Sequence, residues 1–258
     1  MGKTIAITSG KGGCGKSVMT AHTAAALSRA GRSVVSVDLD IGLRSLDVCF
    51  GLEDRVINNI FDIFENGFSP EDVMLAHPDF EGLFLLPCAQ TRREDELCGE
   101  KLKGLTAELE KKFDFVLLDV PAGAGNALRC AMACAESAVV VTCTDKVTLR
   151  DASKIISLLK KAGILDIGVI INKYRPDLVR DGFLLSADEA VELLGANAVG
   201  IVPDDDRFLK FCGDLSAFLG TETGIEIENV AKRLSGEQVP LPAFKKKRFK
   251  NSYVLKYS

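Results

Sequence analysis

The stretch that most constrains this chain is KTIAITSGKGGCGKS, residues 3–17. A run of β-forming residues leads directly into a glycine-rich loop, and the loop opens a helical segment that Gly31 ends. Residues 10–17 fit G-x-x-x-x-G-K-[ST] in the strand–loop–helix context that gives this motif its meaning. Glycines let the backbone wrap phosphates, so that successive N–H groups point inward at the positive end of the helix. The motif assigns Gly10, Lys11, Gly12, Gly13, Cys14, Gly15, Lys16, Ser17 and Val18 to nucleotide binding. Lys16 belongs on the β and γ phosphates, and the Ser17 hydroxyl on Mg²⁺. Lys11 is a second cation, at a position where the motif asks for none.

A phosphate loop of this kind needs a sheet behind it, and the rest of the chain supplies one. Runs at 3–9, 33–40, 83–87, 113–120, 137–144, 166–173 and 197–203 are rich in Val, Ile, Leu and Phe, and helical segments separate them. Strands apolar on both faces and alternating with helices predict a parallel sheet covered on both sides. Ser69-Pro70-Glu71-Asp72 and Ser186-Ala187-Asp188-Glu189 read as helix N-caps with a carboxylate three residues on. The predicted fold is α/β, a single doubly wound domain with a mostly parallel sheet, a P-loop NTPase. It spans 1–236, and a basic C-terminal tail follows at 237–258. At 258 residues the chain has enough length for one large core.

Charge is divided unevenly. Residues 244–258, FKKKRFKNSYVLKYS, carry six Lys or Arg and no acid; the other 243 residues hold 26 basic against 36 acidic groups, a net of −10. No apolar run approaches the length of a membrane span, and MGKTIAITSG does not read as a secretory signal. Ala6 stands where myristoylation would want Ser or Thr. The eight cysteines form no C-x-x-C pair, so a reducing cytoplasm is the simple expectation. Cys130 and Cys134 share a helix face and read as small buried thiols, with a bridged cluster at a dimer axis as the alternative. His22 and His77 have no local catalytic partner and read as surface or packing residues.

The residues KGGxGK[ST] resemble the deviant phosphate loop of the MinD/ParA ATPases, P-loop NTPases of the SIMIBI kind. The likeness extends to VDLDIGLRSLDVCFGLEDR (37–55), which is similar to the first switch of the MinD branch. It continues through LFLLPCAQTR (83–92), INKYRPDLV (171–179), LLSADEAVELL and VGIVPDDD. Partition ATPases of the ParA branch usually read D-x-D-P-Q after the second strand, where this chain has Ile41-Gly42. The resemblance implies an ATP-dependent homodimer in which Lys11 reaches the partner's phosphates, a cation supplied in trans. Such a device is worth roughly 10³–10⁵ in rate elsewhere. It further implies that Asp40 positions the attacking water, that Asp38 and Asp119 join Ser17 around Mg²⁺, and that Pro121-Ala122-Gly123 is the second switch. Asn172 would read the adenine edge, and the loop after Pro203 would close over the base. Val120 departs from the usual Ser or Thr, and LKFCGDLSA (209–217) departs from the family's late motif. Arg150 and Asp151 fall where the family places dimer-interface charges.

MinD proteins end in a basic amphipathic helix that lies on anionic membranes. At helical spacing Phe249, Tyr253, Val254 and Tyr257 share a side of 243–258, with Lys246 and Lys250 intruding. Each basic residue near an anionic surface contributes about 1 kcal/mol. A disordered solubilising tail and a nucleic-acid patch are the other readings of this segment. The resulting expectation is a slow ATP hydrolase, cytoplasmic and peripheral on the inner face of the cell membrane. It would recruit a MinC-like division inhibitor, answer to a MinE-like activator, bind no sequence-specific nucleic acid, and position the septum. The rivals are a ParA-like DNA-binding partition ATPase, which plasmid rather than liposome sedimentation would reveal, and a flagellar or metallocluster-maturation ATPase acting on a protein client.

Overall fold

The computed structural model describes residues 2–246 and 253–256. Eight strands form one sheet: β1 (Lys3–Thr8), β2 (Val34–Asp38), β3 (Leu75–Ala76), β4 (Leu83–Leu86), β5 (Phe115–Asp119), β6 (Ser137–Thr142), β7 (Asp166–Tyr174) and β8 (Asn197–Pro203). Their spatial order is β3-β4-β2-β5-β1-β6-β7-β8. All neighbours are parallel except β3, which pairs antiparallel with β4 at one edge. The seven expected strands are all present, shorter than expected by a residue or more at several ends. Leu75–Ala76 is additional to them, a strand of two residues, too short to show a period in the sequence.

The main helices are α1 (Lys16–Arg29), α2 (Ser45–Phe50), α3 (Ile60–Asn66), α4 (Pro70–Val73), α5 (Gly99–Leu109) and α6 (Asn126–Met132). After them come α7 (Lys146–Lys161), α8 (Pro176–Arg180), α9 (Ala187–Leu194), α10 (Arg207–Lys210) and α11 (Glu222–Leu234). Successive strand residues point to opposite faces, and this alternation splits the core in two. Ala6, Val35, Val116, Leu118 and Val140 pack with residues of α5, α6, α7 and α9 on one face. Ile5, Ile7, Val34, Leu117 and Val139 pack with α1, α2 and α11 on the other. Both expected capping boxes form, at Ser69/Asp72 and Ser186/Glu189.

The parallel register brings the carboxyl ends of the central strands to one edge. Asp38 lies opposite Asp119, and Asp119 opposite Ile7 of β1. A doubly wound sheet binds ligands at this edge, where neighbouring loops leave in opposite directions.

The tail departs from expectation. Ala243–Lys246 (β9) and Tyr253–Lys256 (β10) are antiparallel strands, with Tyr253 opposite Lys246 and Leu255 opposite Phe244, and not turns of a helix. Aromatic and β-branched residues such as Phe244, Tyr253 and Val254 favour extended backbone, which outweighs the weak helical period. Phe249, Lys250 and Tyr257 lie outside the described residues. The start of the tail is fastened to the body: the buried Arg233 guanidinium donates to the carbonyls of Val199 (2.8 Å), Val239 (3.0 Å) and Pro240 (2.6 Å).

Candidate nucleotide site

Positive φ at Gly13 (84°) and Gly15 (83°) lets the loop after β1 curl back over the start of α1, a conformation L side chains resist. A Cβ at Gly12 or Gly13 would meet nothing within 4 Å, so the space beside these two glycines is open. At Gly15 a Cβ would stand 2.4 Å from Asn172 Nδ2, which makes this glycine a requirement of close approach. Gly10 has another reason: its Cβ would fall 2.3 Å from the Asp151 backbone, at the first turns of α7. The structure therefore sets Gly10 against α7, with the loop's remaining glycines facing the cleft.

That cleft holds about 480 Å³ and is lined by Gly12 through Val18, by Asp40, Leu43, Ser45 and Cys49, and by Pro121 and Ala122. Behind this lining the fully buried Asp119 gathers three donors. Lys16 Nζ approaches Asp119 Oδ2 at 2.7 Å, Ser17 Oγ approaches the same oxygen at 2.7 Å, and Thr20 Oγ1 donates to Oδ1 at 2.7 Å. Ser17 Oγ also sits 3.0 Å from Ser45 Oγ. Thr20 and Ser45 were missed in the sequence. Thr20 lies one helical turn beyond Lys16, so its position was legible from the i, i+4 spacing; Ser45 carried no local signal.

Asp38 is fully buried, and burial first, then the neighbouring Asp119 charge, pushes its carboxyl up to about 7. Its Oδ1 accepts from the Asp40 backbone N–H at 2.8 Å, while Oδ2 has no hydrogen-bond donor among the described residues. A buried carboxylate oxygen without a donor, on the strand position paired with Asp119, suits a hard cation that prefers oxygen ligands. Asp40 is half-buried at the cleft; burial raises its carboxyl above the usual range, and Lys16 opposes that shift. Val120, fully buried, donates its N–H to Ile7 O at 2.9 Å, so the residue before Pro121-Ala122-Gly123 belongs to the core.

Asn172 is buried at the end of β7, where its Nδ2 donates to Cys14 O at 2.8 Å. Its Oδ1 has no partner among the described residues. The side chain thus braces the phosphate loop and leaves an acceptor free, the complement of an exocyclic amine. The next residue, Lys173, donates to Gly13 O at 2.9 Å. Pro203, paired with Tyr174, lines a separate cleft of about 540 Å³ with Arg175, Asp205 and Arg207. The structure does not bring Pro203 to the lining of the phosphate cleft.

Lys11 stands apart. It is exposed, and its ammonium makes no hydrogen bond or ion pair among the described residues; only its carbonyl is engaged, by Ser9 Oγ at 3.1 Å. Asp151 pairs with Lys154 at 3.1 Å, and Arg150 is exposed beside it. The two histidines are packing residues: His22 lies edge-on to Phe208 and Phe218, and His77 edge-on to Phe80. Cys130 and Cys134 are free thiols, Cys130 buried and Cys134 half-buried, each donating to a backbone carbonyl. Among the described residues no helix is long and apolar enough to cross a membrane.

Residues 5–212 match the model of the CobQ/CobB/MinD/ParA nucleotide-binding domain family. The septum site-determining protein MinD of Bacillus subtilis is 37% identical over 246 residues, which is 93% of this chain and 92% of that protein. The MinC:MinD cell division protein complex of Aquifex aeolicus aligns with a TM-score of 0.85 at 31% identity, covering 93% of this chain and 98% of that one. MinD complexed with Mg-ADP from Pyrococcus horikoshii aligns with a TM-score of 0.79 at 29% identity, over 91% and 96% of the two chains.

Proposed function

Because the chain belongs to the MinD branch of the CobQ/CobB/MinD/ParA nucleotide-binding family, we propose that it is an ATPase switch that sets the position of the division septum. ATP joins two copies, the pair holds to an anionic membrane surface and recruits a division inhibitor of the MinC kind, and hydrolysis releases it. The observation that carries this reading is the contrast between two lysines of one loop. Lys16 is buried and paired inside the cleft, whereas Lys11 is exposed with its ammonium unpaired among the described residues.

ATP is the substrate. Its triphosphate would lie along the open side of Gly12 and Gly13 and draw Lys16 from Asp119 toward the β and γ phosphates. That exchange trades one buried charge pair for another, so Lys16 is never left desolvated and alone. Ser17, Asp119 and Asp38 would hold Mg²⁺, which when bound neutralises charge on the phosphate oxygens. Asp40 orients the attacking water, a task of positioning more than of basicity. The second copy's Lys11 completes the charge balance, so the monomer hydrolyses slowly. Asn172 Oδ1, without a donor among the described residues, accepts from the adenine amino group. The relative solved with MinC supports a MinC-like partner, and the one solved with Mg-ADP supports the nucleotide and the metal. The tail at 237–258, with strands at Ala243–Lys246 and Tyr253–Lys256, supplies cationic contact with lipid headgroups by charge.

Steady-state ATP turnover tests the chemistry. Lys11→Ala and Asp40→Ala should each fall at least about a hundredfold below the parent, with ADP affinity retained. Parent-like turnover in both would contradict the reading.

A further inference from the structure

The two segments that face the phosphates leave different strands. The Asp40 loop follows β2, and Pro121-Ala122-Gly123 follows β5. A third segment, the strap 88–97 that follows β4, touches the Asp40 loop and the start of α6, the helix that follows Pro121-Ala122-Gly123. Cys88 Sγ donates to Asp40 O at 3.3 Å, and Gly42 N donates to Ala89 O at 3.0 Å, so the strap's first residues hold the Asp40 loop. Its later residues hold the start of α6. Glu94 Oε1 accepts from the Ala127 backbone N–H at 2.8 Å, while Asn126 Nδ2 donates to the carbonyls of Glu94 (3.0 Å) and Leu97 (2.9 Å).

The fit around Glu94 is close. A Cβ on Gly125 would stand 2.3 Å from Glu94 Oε1 and 3.0 Å from Oε2. Gly125 has φ −75° and ψ −170°, ordinary extended backbone, so its conformation does not exclude alanine; among its nearest neighbours only the Glu94 carboxylate does. Around Glu94 the strap is braced by its own ion pairs. Arg92 binds Glu65 and Glu96, and Arg93 N donates to Glu96 Oε1 at 2.8 Å. The Glu94 charge is also felt at Asp40, where it adds to the upward push on that carboxyl.

We propose that Glu94 is a positioning residue for ATP hydrolysis, locking the second switch and the Asp40 loop into one unit through the strap 88–97. The inference rests on the ATP-switch reading and deepens it. Transfer to water depends on placing the γ phosphate and the water together, and two loops that shift independently would misplace one against the other. A carboxylate accepting from a helix's first N–H groups makes the stronger kind of hydrogen bond, suited to such a lock. Glu94 touches no reacting atom.

The test is a set of variants assayed for turnover, for fluorescent ADP affinity and for thermal midpoint. Glu94→Ala should lower kcat about tenfold, the scale of a lost charge-assisted hydrogen bond. KM and ADP affinity should stay within about twofold, since the phosphate loop is untouched. Glu94→Gln keeps an oxygen acceptor for Ala127 N and should recover most of the rate. Gly125→Ala should be as slow as Glu94→Ala, because its methyl displaces the carboxylate. In the Glu94→Ala background the same methyl should cost nothing further, a non-additivity that general destabilisation would not produce. A parent-like kcat in Glu94→Ala overturns the inference, and so do rate losses that simply add in the double variant. If the parent itself fails to turn over ATP, the ATP-switch reading falls; if only the variants behave like an active parent, the strap alone falls.

Discussion

Asp119 holds Lys16, Ser17 and Thr20 on its two oxygens, and these contacts set the charge state of the cleft before any phosphate enters. Gly15 sets its shape. With φ at 83° and Asn172 Nδ2 where a methyl would go, Gly15→Ala should lower ATP affinity more than about tenfold. Fluorescent-nucleotide titration measures this, and unchanged affinity would mean that the brace between loop and β7 is dispensable. His22 belongs to stability. Burial among Phe208 and Phe218 depresses its pKa to about 4 from 6.5, against a weaker upward pull from Asp214. The unfolded chain then binds more protons between these values, so stability is fully present above about 6.5 and declines as pH falls toward 4, by at most about 3 kcal/mol. Urea midpoints at pH 7.5 and pH 4.5 should diverge in the parent and diverge less in His22→Met; equal divergence would remove His22 from the account. At this scale the residues with a motif were legible: Lys16, Ser17, Asp40 and Asp119 all line or adjoin one cleft. Ser45 and Glu94 were not, since their roles depend on contacts across 28 and 33 residues of chain with Ser17 and Ala127.

Secondary-structure elements were legible where their chemistry is local. The Ser186/Glu189 capping box closes reciprocally, with Ser186 N donating to Glu189 Oε2 at 2.8 Å and Glu189 N to Ser186 Oγ at 3.3 Å. Ser186→Ala should cost about 1 kcal/mol and lower the thermal midpoint by about 2–4 °C, with turnover unchanged. An unchanged midpoint would mean that α9 is held by packing alone. The doubly apolar strands predicted a parallel sheet for the same reason: their composition states that both faces are covered. Strand β3 and the extended tail segments were not legible, because pairing partners outweigh the weak periodicity within two to four residues.

For the whole molecule, the sheet places its carboxyl edge, its phosphate loop and the exposed Lys11 together, while Arg233 fixes where the tail leaves the body. Deleting residues 237–258 should abolish co-sedimentation with anionic vesicles in ATP and leave pairing in solution intact; a truncated protein that still sediments would place the membrane contact elsewhere. The central claim is that Lys11 serves a second copy's triphosphate. Light scattering with ADP and with a non-hydrolysable ATP analogue, on the parent and on Lys11→Ala, tests it most directly. The parent should reach twice the monomer mass with the analogue only, and the variant should stay single with either nucleotide. A parent that remains monomeric with the analogue, or a Lys11→Ala protein that pairs as the parent does, would contradict it.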